Sequence, residues 1–586
     1  MRAIRQRIAE RPSSDLDEAR RWLVATGQVE QAVLDASQNC AAEATRATLA
    51  AADLFLDARK GETSRAEREE SAASFRQALF ALEVRLDRRE LEFRVPEGFA
   101  WYALYPDSYA QSAERWARQY RHAGSTVSVI GIRSIGTTLA AVVVQALRRC
   151  GLEITCHATL RPFGDPFARG AEPQPGFKPA FHNIIVDEGP GLSGSSVAAV
   201  ARAMCRSGAD PDTIHFFVGH GHGPGPAACS ATKTWWCSQR IWFTDLDDTL
   251  LGGQLLPREL TAVVESAAGE PAVGQAESLD TRRWQALAKL ASLPRAVAPN
   301  LETPKRIVRL RSGRRIVLRF IGFALTSGGP GWDTGAHSVS RHGWIAMPWV
   351  EGPRLLATDA STAFLAEVLG PYIAGSSDRM LQPSQVQEGI GRIANALFAW
   401  AEVRELEDLR AAIERIVERE VSRAQSAHQH AYGDGRLAPH EWVRTSSAVV
   451  KVDSFGHACD HTWVGQQPLA WDLAGAEIEW ELDRMRSEQL CSTVAAQSGY
   501  HCAEETRAFY RAGYCAFRAA AAWFCAAASC GEWRDHLLRA CAWYEQRLRN
   551  ALIISLKPAP SVPTDLANGR ARQLKPPGPA DLWPQG

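Results

Sequence analysis

Between Ser125 and Gly219 the chain alternates short apolar runs rich in β-branched residues with stretches of helical period. No other feature restricts its folding so much. STVSVIGI reads as a strand, GTTLAAVVVQALRRC as a helix and LEITCHATL as a strand. After a long Gly/Pro-rich stretch come HNIIVDE as a strand, GSSVAAVARAMC as a helix and TIHFFVG as a strand. Strand and helix in alternation predict a mostly parallel α/β sheet.

The chain has 586 residues, more than one hydrophobic core organises, so several domains are expected. Residues 1–97 read as a helical region in which Phe75, Leu79, Leu82 and Leu86 recur on one face. The α/β domain is placed at 98–240. Residues 241–300, with GEPAVGQAES, read as a linker. A second module at 301–555 opens with RIVRLRSGRRIVLRFIGF, two β-rich runs around Ser312 and Gly313 that suggest a hairpin, and continues mainly in helices. The Pro-rich stretch 556–586 reads as an unstructured tail. The expected fold class is multidomain α/β plus α+β.

Lys plus Arg and Asp plus Glu each total 66, so no net field draws the chain to nucleic acid or an anionic membrane. Eight residues are lysine and 58 arginine, a bias toward planar guanidinium groups suited to phosphate and carboxylate. The first residues carry charges where a signal peptide needs an apolar stretch, and AFRAAAAWFCAAASC is too short to span a bilayer. The 13 cysteines are scattered without CxxC pairs and read as reduced thiols. A soluble cytoplasmic protein without a membrane or nucleic-acid partner is expected.

IIVDEGPGLSGSSVAAVARAM carries the most chemistry. Gly189, Gly191 and Gly194 satisfy GxGxxG, but two carboxylates, Asp187 and Glu188, stand immediately before the loop and would repel a pyrophosphate there. The order suits a sugar phosphate: the carboxylates accept hydrogen bonds from ribose hydroxyls, and the next loop holds one phosphate on backbone N–H groups and a helix N-terminus.

These residues resemble the motif of type I phosphoribosyltransferases that binds 5-phosphoribosyl-1-pyrophosphate (PRPP). Asp187 and Glu188 match its acidic pair, and Ser193, Gly194, Ser195 and Ser196, after Gly191, match its phosphate cradle. The cradle is serine-rich where Thr and Gly are usual, and one carboxylate is Glu. The resemblance implies a pyrophosphate loop in GIRSIGT, where Arg133 would neutralise phosphate oxygens beside the amides of Ser134 and Gly136. It also implies an active-site loop in TLRPFGDPFARGAEPQPGFKPAF, where Arg161, Arg169 and Lys178 are candidate phosphate contacts. Mg²⁺ would bridge pyrophosphate and ribose hydroxyls. His220 and His222 lie past the last strand, where a surface turn is the plainer reading.

From about 301 to 550 the chain resembles the aminoglycoside phosphotransferase and kinase-like fold, a bilobal module. AVVKVDSFGHACDH matches its metal-binding strand, with Asp453 as metal ligand, and PLAWDLAGAEIEW its buttressing helix, with Asp472 as the structural Asp. Counting back from Asp453 lays GRLAPHEWV on the family's Gly-Asp-Leu-His-Pro-Gly-Asn-Val-Leu. Arg436 then takes the place of the catalytic Asp, and Glu441 that of the metal-ligand Asn. Arg319 falls at the phosphate-binding Lys. Arg cannot accept a proton at neutral pH, so Glu441, His440 or His457 would have to serve as base. His457, Cys459, Asp460 and His461 read as polar loop residues.

IWFTDLDDTLLGG matches a phosphatase DxDxT pattern through Asp245, Asp247 and Thr249, but the following stretch is too short for the remaining parts, and an acidic turn capping a helix is preferred. Two functional readings stand together. One is a Mg²⁺-dependent phosphoribosyltransferase-like enzyme taking PRPP or a related phosphorylated ribose, coupled to a degenerate kinase-like module that binds a nucleotide such as ATP. The other is a non-catalytic PRPP- or nucleotide-sensing regulator with a pseudokinase-like domain.

Overall fold

The computed structural model describes residues 15–60, 64–86, 91–122, 125–172, 177–246, 258–322, 340–376, 380–424, 431–453 and 465–556. The Pro-rich stretch from 557 onward lies outside them, as do Asp247, Thr249, His457, Cys459, Asp460 and His461. The chain divides into two compact units. One holds the residues up to Leu279 together with Thr303–Trp349, and the other holds Asp280–Glu302 together with the residues from Val350 onward.

In the first unit, helices α1 (Leu16–Asp35), α2 (Ala41–Lys60) and α3 (Arg65–Arg85) precede α4 (Pro106–Tyr120). Asp15 caps α1 by accepting from the Asp17 amide, and Ser64 with Glu67 forms a reciprocal capping box on α3. Phe75, Leu79 and Leu82 are buried, as their spacing predicts, and Leu86 packs partly buried against the same core.

Strands β1 (Thr126–Ile132), β2 (Glu153–Leu160), β3 (His182–Val186), β4 (Ile214–Phe217) and β5 (Arg240–Trp242) form one sheet in the order β2-β1-β3-β4-β5, parallel throughout. The alternating pattern therefore produced the expected parallel sheet. Helix α5 (Ile135–Arg149) links β1 to β2 and is buried on nearly all sides from Ile135 to Leu147, because the sheet lies on one face and α1 and α2 pack on the other. Helix α6 (Ser195–Arg206) follows β3. Val127, Val129, Ile184, Val186 and Phe217 join the core shared with α5, while Ile130, Ile132, Ile185 and Phe216 pack with Val197, Val200 and Met204 of α6. This is the period of two that a sheet covered on both faces requires.

Glycine is required where α5 meets the sheet. A Cβ on Gly131 would lie 2.2 Å from the Gly136 carbonyl oxygen, and one on Gly136 would lie 2.5 Å from the Val186 carbonyl oxygen. Gly136 thus sets how closely the helix approaches β3.

A second sheet in this unit has the order β6-β7-β8-β10-β9, from β6 (Ala272–Ser278), β7 (Lys305–Leu310), β8 (Arg315–Phe320), β9 (Ser340–Arg341) and β10 (Trp344–Pro348). The β7–β8 hairpin turns at Gly313, whose φ is +86°. Residues 272–278, read from sequence as exposed connection, instead form the edge strand β6 against β7. The strand is largely exposed and its register shifts between Val273 and Glu277, so it carries no alternating apolar signal.

The second unit is mainly helical, with α7 (Pro383–Val403), α8 (Arg410–Ala424), α9 (Leu469–Glu479), α10 (Glu504–Ala527) and α11 (Gly531–Leu556). Ile390, Leu397, Trp400, Ile413, Trp471 and Tyr514 anchor its core. A short hairpin, β11 (Trp442–Arg444) with β12 (Val449–Lys451), follows the loop that begins at Ala431. Among the described residues no helix is long and apolar enough to cross a membrane, and every cysteine is a free thiol.

Candidate functional site

Two clusters carry chemistry, one in each unit. In the first, Asp187 and Glu188 directly follow β3, beside the end of β1. In the order β2-β1-β3-β4-β5 the connections leave β1 and β3 in opposite directions at this point, which opens a crevice beyond the strand ends. The backbone of the acidic pair is pinned. Tyr109 Oη donates to the Asp187 carbonyl at 2.7 Å, Asp187 N donates to the Phe217 carbonyl at 3.1 Å, and Gly219 N donates to the Glu188 carbonyl at 2.8 Å. Both residues are half-buried, and neither side chain forms a salt bridge among the described residues. Burial pushes the Asp187 carboxyl up to about 7, and burial with Glu97 and Asp187 nearby pushes Glu188 up to about 8. Two adjacent carboxylates without a basic partner suit a divalent cation or a pair of hydroxyl donors, so the donor chemistry fits Mg²⁺ held together with a polyhydroxyl ligand.

The turn after the pair runs Gly189–Gly194, with Gly191 and Gly194 in the left-handed region at φ +57° and +67°. Gly194 then caps α6. The Ser193 and Ser195 hydroxyls both donate to the Pro166 carbonyl, at 3.1 and 2.7 Å, which holds the preceding loop over the turn. Ser196 begins the helix beside them, half-buried. The same loop is clipped at its base by a Phe163–Gly170 bridge, and Arg169 donates within it to the Gly164 carbonyl at 3.0 Å. The His220 ring lies over Gly189, where a Cβ would come within 2.7 Å of Nε2. Its Nδ1 accepts from the His222 amide at 3.2 Å, and burial together with His222 lowers its pKa, which favours a neutral ring next to the acidic pair.

Arg133 and Arg161 are already engaged. Arg133 Nη1 meets Asp35 Oδ1 at 3.0 Å, with Arg133 Nε on the Thr159 hydroxyl at 3.2 Å, and Arg161 Nη2 meets the other Asp35 oxygen. Arg161 Nη1 also donates to the Arg133 carbonyl at 3.0 Å. Ser134 immediately precedes α5. The two guanidinium groups thus lie beside the end of β1 with a carboxylate of α1 between them. Asp35 is the member the sequence did not indicate, because nearly a hundred residues separate it from Arg133.

In the second unit the loop 431–453 carries the carboxylates Asp434, Glu441 and Asp453 and the cations Arg436, Arg444 and Lys451. The Asp472 carboxylate, at the start of α9, accepts the amides of Asp434 and Gly435 at 2.9 and 2.8 Å, the buttressing place expected for it. Burial and the Asp434 charge push Asp472 up to about 7. Trp471 and Trp480 donate to the Gly435 and Leu437 carbonyls at 3.0 and 2.7 Å. The loop geometry is therefore fixed by buried donors and acceptors.

The carboxylate delivered to this site is Asp434, two residues before Arg436. Arg436 Nε pairs with Glu441 Oε1 at 2.5 Å. Lys451 Nζ lies 3.1 Å from Asp434 Oδ2 and 3.2 Å from Glu441 Oε2, and it donates to the Asp453 carbonyl. Tyr372 Oη donates to Asp434 Oδ2 at 2.5 Å. Burial and the charges of Arg436 and Arg354 hold His440 well below its ordinary pKa, so it stays neutral. Glu441 fits poorly as a metal ligand because both its oxygens face cations, and Asp453 is half-buried. Arg319 lies on β8 in the first unit, opposite Ile345, and is almost fully buried.

No family model and no curated protein matches the sequence. Among solved structures, the chain is similar to LicA in complex with AMP, at 11% identity and a TM-score of 0.31, over 49% of this chain and 97% of that one. It is similar to an ethanolamine kinase from Plasmodium vivax at 10% identity and a TM-score of 0.30, over 42% and 79% of the two chains. It is also similar to a choline/ethanolamine kinase family protein from Mesorhizobium loti at 14% identity and a TM-score of 0.28, over 46% and 98%. At these scores the likenesses carry no conclusion about chemistry.

Proposed function

We propose that the first unit binds PRPP or a related 5-phosphorylated ribose with Mg²⁺, as a phosphoribosyltransferase-like domain. The observation that carries this reading is the acidic pair Asp187–Glu188, without a salt-bridge partner among the described residues, followed at once by a glycine and serine turn that opens α6. On this reading the two carboxylates accept hydrogen bonds from the ribose hydroxyls. The turn Gly191–Ser196 would hold the 5-phosphate at the start of α6, with Ser196 beside Gly194, and with Ser193 and Ser195 once their hydroxyls leave the Pro166 carbonyl. Arg133 and Arg161, with the amides of Ser134 and Gly136, meet the pyrophosphate once Asp35 yields them, and Arg169 comes from the covering loop. Bound Mg²⁺ would supply charge neutralisation for the departing pyrophosphate. The reaction would break the bond from the anomeric carbon to pyrophosphate as an acceptor atom bonds to that carbon.

Calorimetry with PRPP and Mg²⁺ tests this. Asp187→Asn with Glu188→Gln is expected to abolish the heat of binding, and unchanged affinity would remove the ribose assignment. Pyrophosphate release with a panel of nucleobases then separates a transferase from a PRPP-sensing regulator.

The second unit supports a kinase-like, nucleotide-binding reading through one observation: Asp434 stands on a loop buttressed by the buried Asp472. ATP would bring Mg²⁺ to Asp453, with Asp434 facing the acceptor hydroxyl. Binding of ATP with Mg²⁺ that is indifferent to Asp453→Ala would remove this reading.

A further inference from the structure

The loop 431–453 presents three oxygens to one point: Asp434 Oδ2, Glu441 Oε2 and the Asp453 carbonyl. Such a convergence of hard oxygen donors is what a divalent cation needs. Here the point is taken by the ammonium of Lys451. The side chains of Lys451, Asp434 and Glu441 are 2%, 3% and 4% exposed, so water does little to screen them. The oxygens stand at 3.1 and 3.2 Å, ion-pair distances for an ammonium and far longer than the roughly 2.0–2.1 Å of Mg²⁺.

The arrangement is built by the hairpin. Val452 N donates to the Glu441 carbonyl at 2.8 Å, and Trp442 pairs with Lys451, so the lysine is held in register with the acidic residue just before β11. Tyr372 and the Arg436 amide orient the Asp434 carboxylate from its other side, at 2.5 and 3.2 Å. Asp434 and Glu441 are both opposed by Lys451, and Glu441 also by Arg436.

We infer that Lys451 is the resident cation of this site, standing where a divalent ion would bridge Asp434 and Glu441. Asp434 and Glu441 then have their counter-charges in the absence of any metal. Glu441 is then closed to metal ions. This assignment holds whether or not the unit binds a nucleotide.

The test uses the full chain and Mn²⁺ alone, followed by electron paramagnetic resonance of the free ion. Lys451→Met keeps an unbranched side chain, one atom shorter, and removes the charge, leaving two buried carboxylates to recruit an ion. It is expected to gain one Mn²⁺ site at least about tenfold tighter than any in the unaltered protein. Mg²⁺ should compete for that site, and adding Glu441→Gln should abolish it. In the unaltered protein Glu441→Gln should leave Mn²⁺ binding as it was.

A folded Lys451→Met protein that binds no additional Mn²⁺ overturns the inference, as does loss of Mn²⁺ from the unaltered protein on Glu441→Gln. Should Lys451→Met not fold, nitrogen-15 labelling of the 8 lysines decides the matter. One ammonium signal protected from exchange at pH 7, lost on Lys451→Arg, is expected, and its absence overturns the assignment.

Discussion

Asp35 Oδ1, at the end of the first helix, lies 3.0 Å from Arg133 Nη1 after the first strand of the parallel sheet, and its second oxygen holds Arg161. One carboxylate thus occupies both guanidinium groups. Burial pushes Asp35 up, but hydrogen bonds and charge from Arg161, then Arg133, outweigh it and hold the carboxyl below its ordinary range.

Asp35→Asn should therefore free positive charge for anions. Pyrophosphate affinity, measured by calorimetry, is expected to rise about three- to tenfold, equivalent to ~1 kcal/mol. The folded-state pKa is depressed, so the pair stabilises the protein above the ordinary carboxylate pKa and that stabilisation disappears as pH falls through the lowered value. Urea melts of Asp35→Asn should show a weaker loss of stability below about pH 4 than the unaltered chain.

The acidic pair behaves in the opposite sense. Asp187 and Glu188 are raised to about 7 and about 8, above the ordinary range near 4. Between about pH 4 and 8 the folded protein keeps protons that the unfolded chain has released, so this pair lowers stability as pH rises. Asp187→Asn with Glu188→Gln should stabilise the protein by ~1–2 kcal/mol at pH 8.5 and by nearly nothing at pH 4, read from thermal melts at the two pH values. A loss of stability at pH 8.5 would mean the carboxylates are held by partners.

Gly131 tests the close approach of α5. A Cβ there would stand 2.2 Å from a carbonyl oxygen that belongs to backbone and cannot swing away. Gly131→Ala is expected to cost ~2–4 kcal/mol in urea denaturation. Gly151, at φ +81° with nothing within 4 Å, provides the comparison; alanine there should cost only about 1 kcal/mol, from backbone conformation alone.

Asp472→Ala strips the amides of Asp434 and Gly435 of their acceptor inside the second unit. A loss of ~2–4 kcal/mol is expected by urea denaturation, together with loss of any Mn²⁺ or nucleotide binding that depends on Asp434 or Asp453. Activity falling with no change in stability would mean that Asp472 does more than hold the loop.

By itself the sequence determined the parallel sheet, the turn at Gly313 and the place of the acidic pair at a strand end, because each is written in neighbouring residues. Period two in the strands, glycine at positive φ and a carboxylate pair before a serine turn all act over a few positions. Tertiary structure alone decided that Asp35 faces Arg133, that Ala272–Ser278 is an edge strand, and that the β7–β8 hairpin belongs with the first unit while residues 280–302 belong with the second. It also decided that Asp434, Glu441 and Lys451 meet in the second cluster, with Arg436 on Glu441. These outcomes depend on charges and apolar faces that become neighbours only when distant segments pack, and no local pattern encodes which partner a buried charge will find.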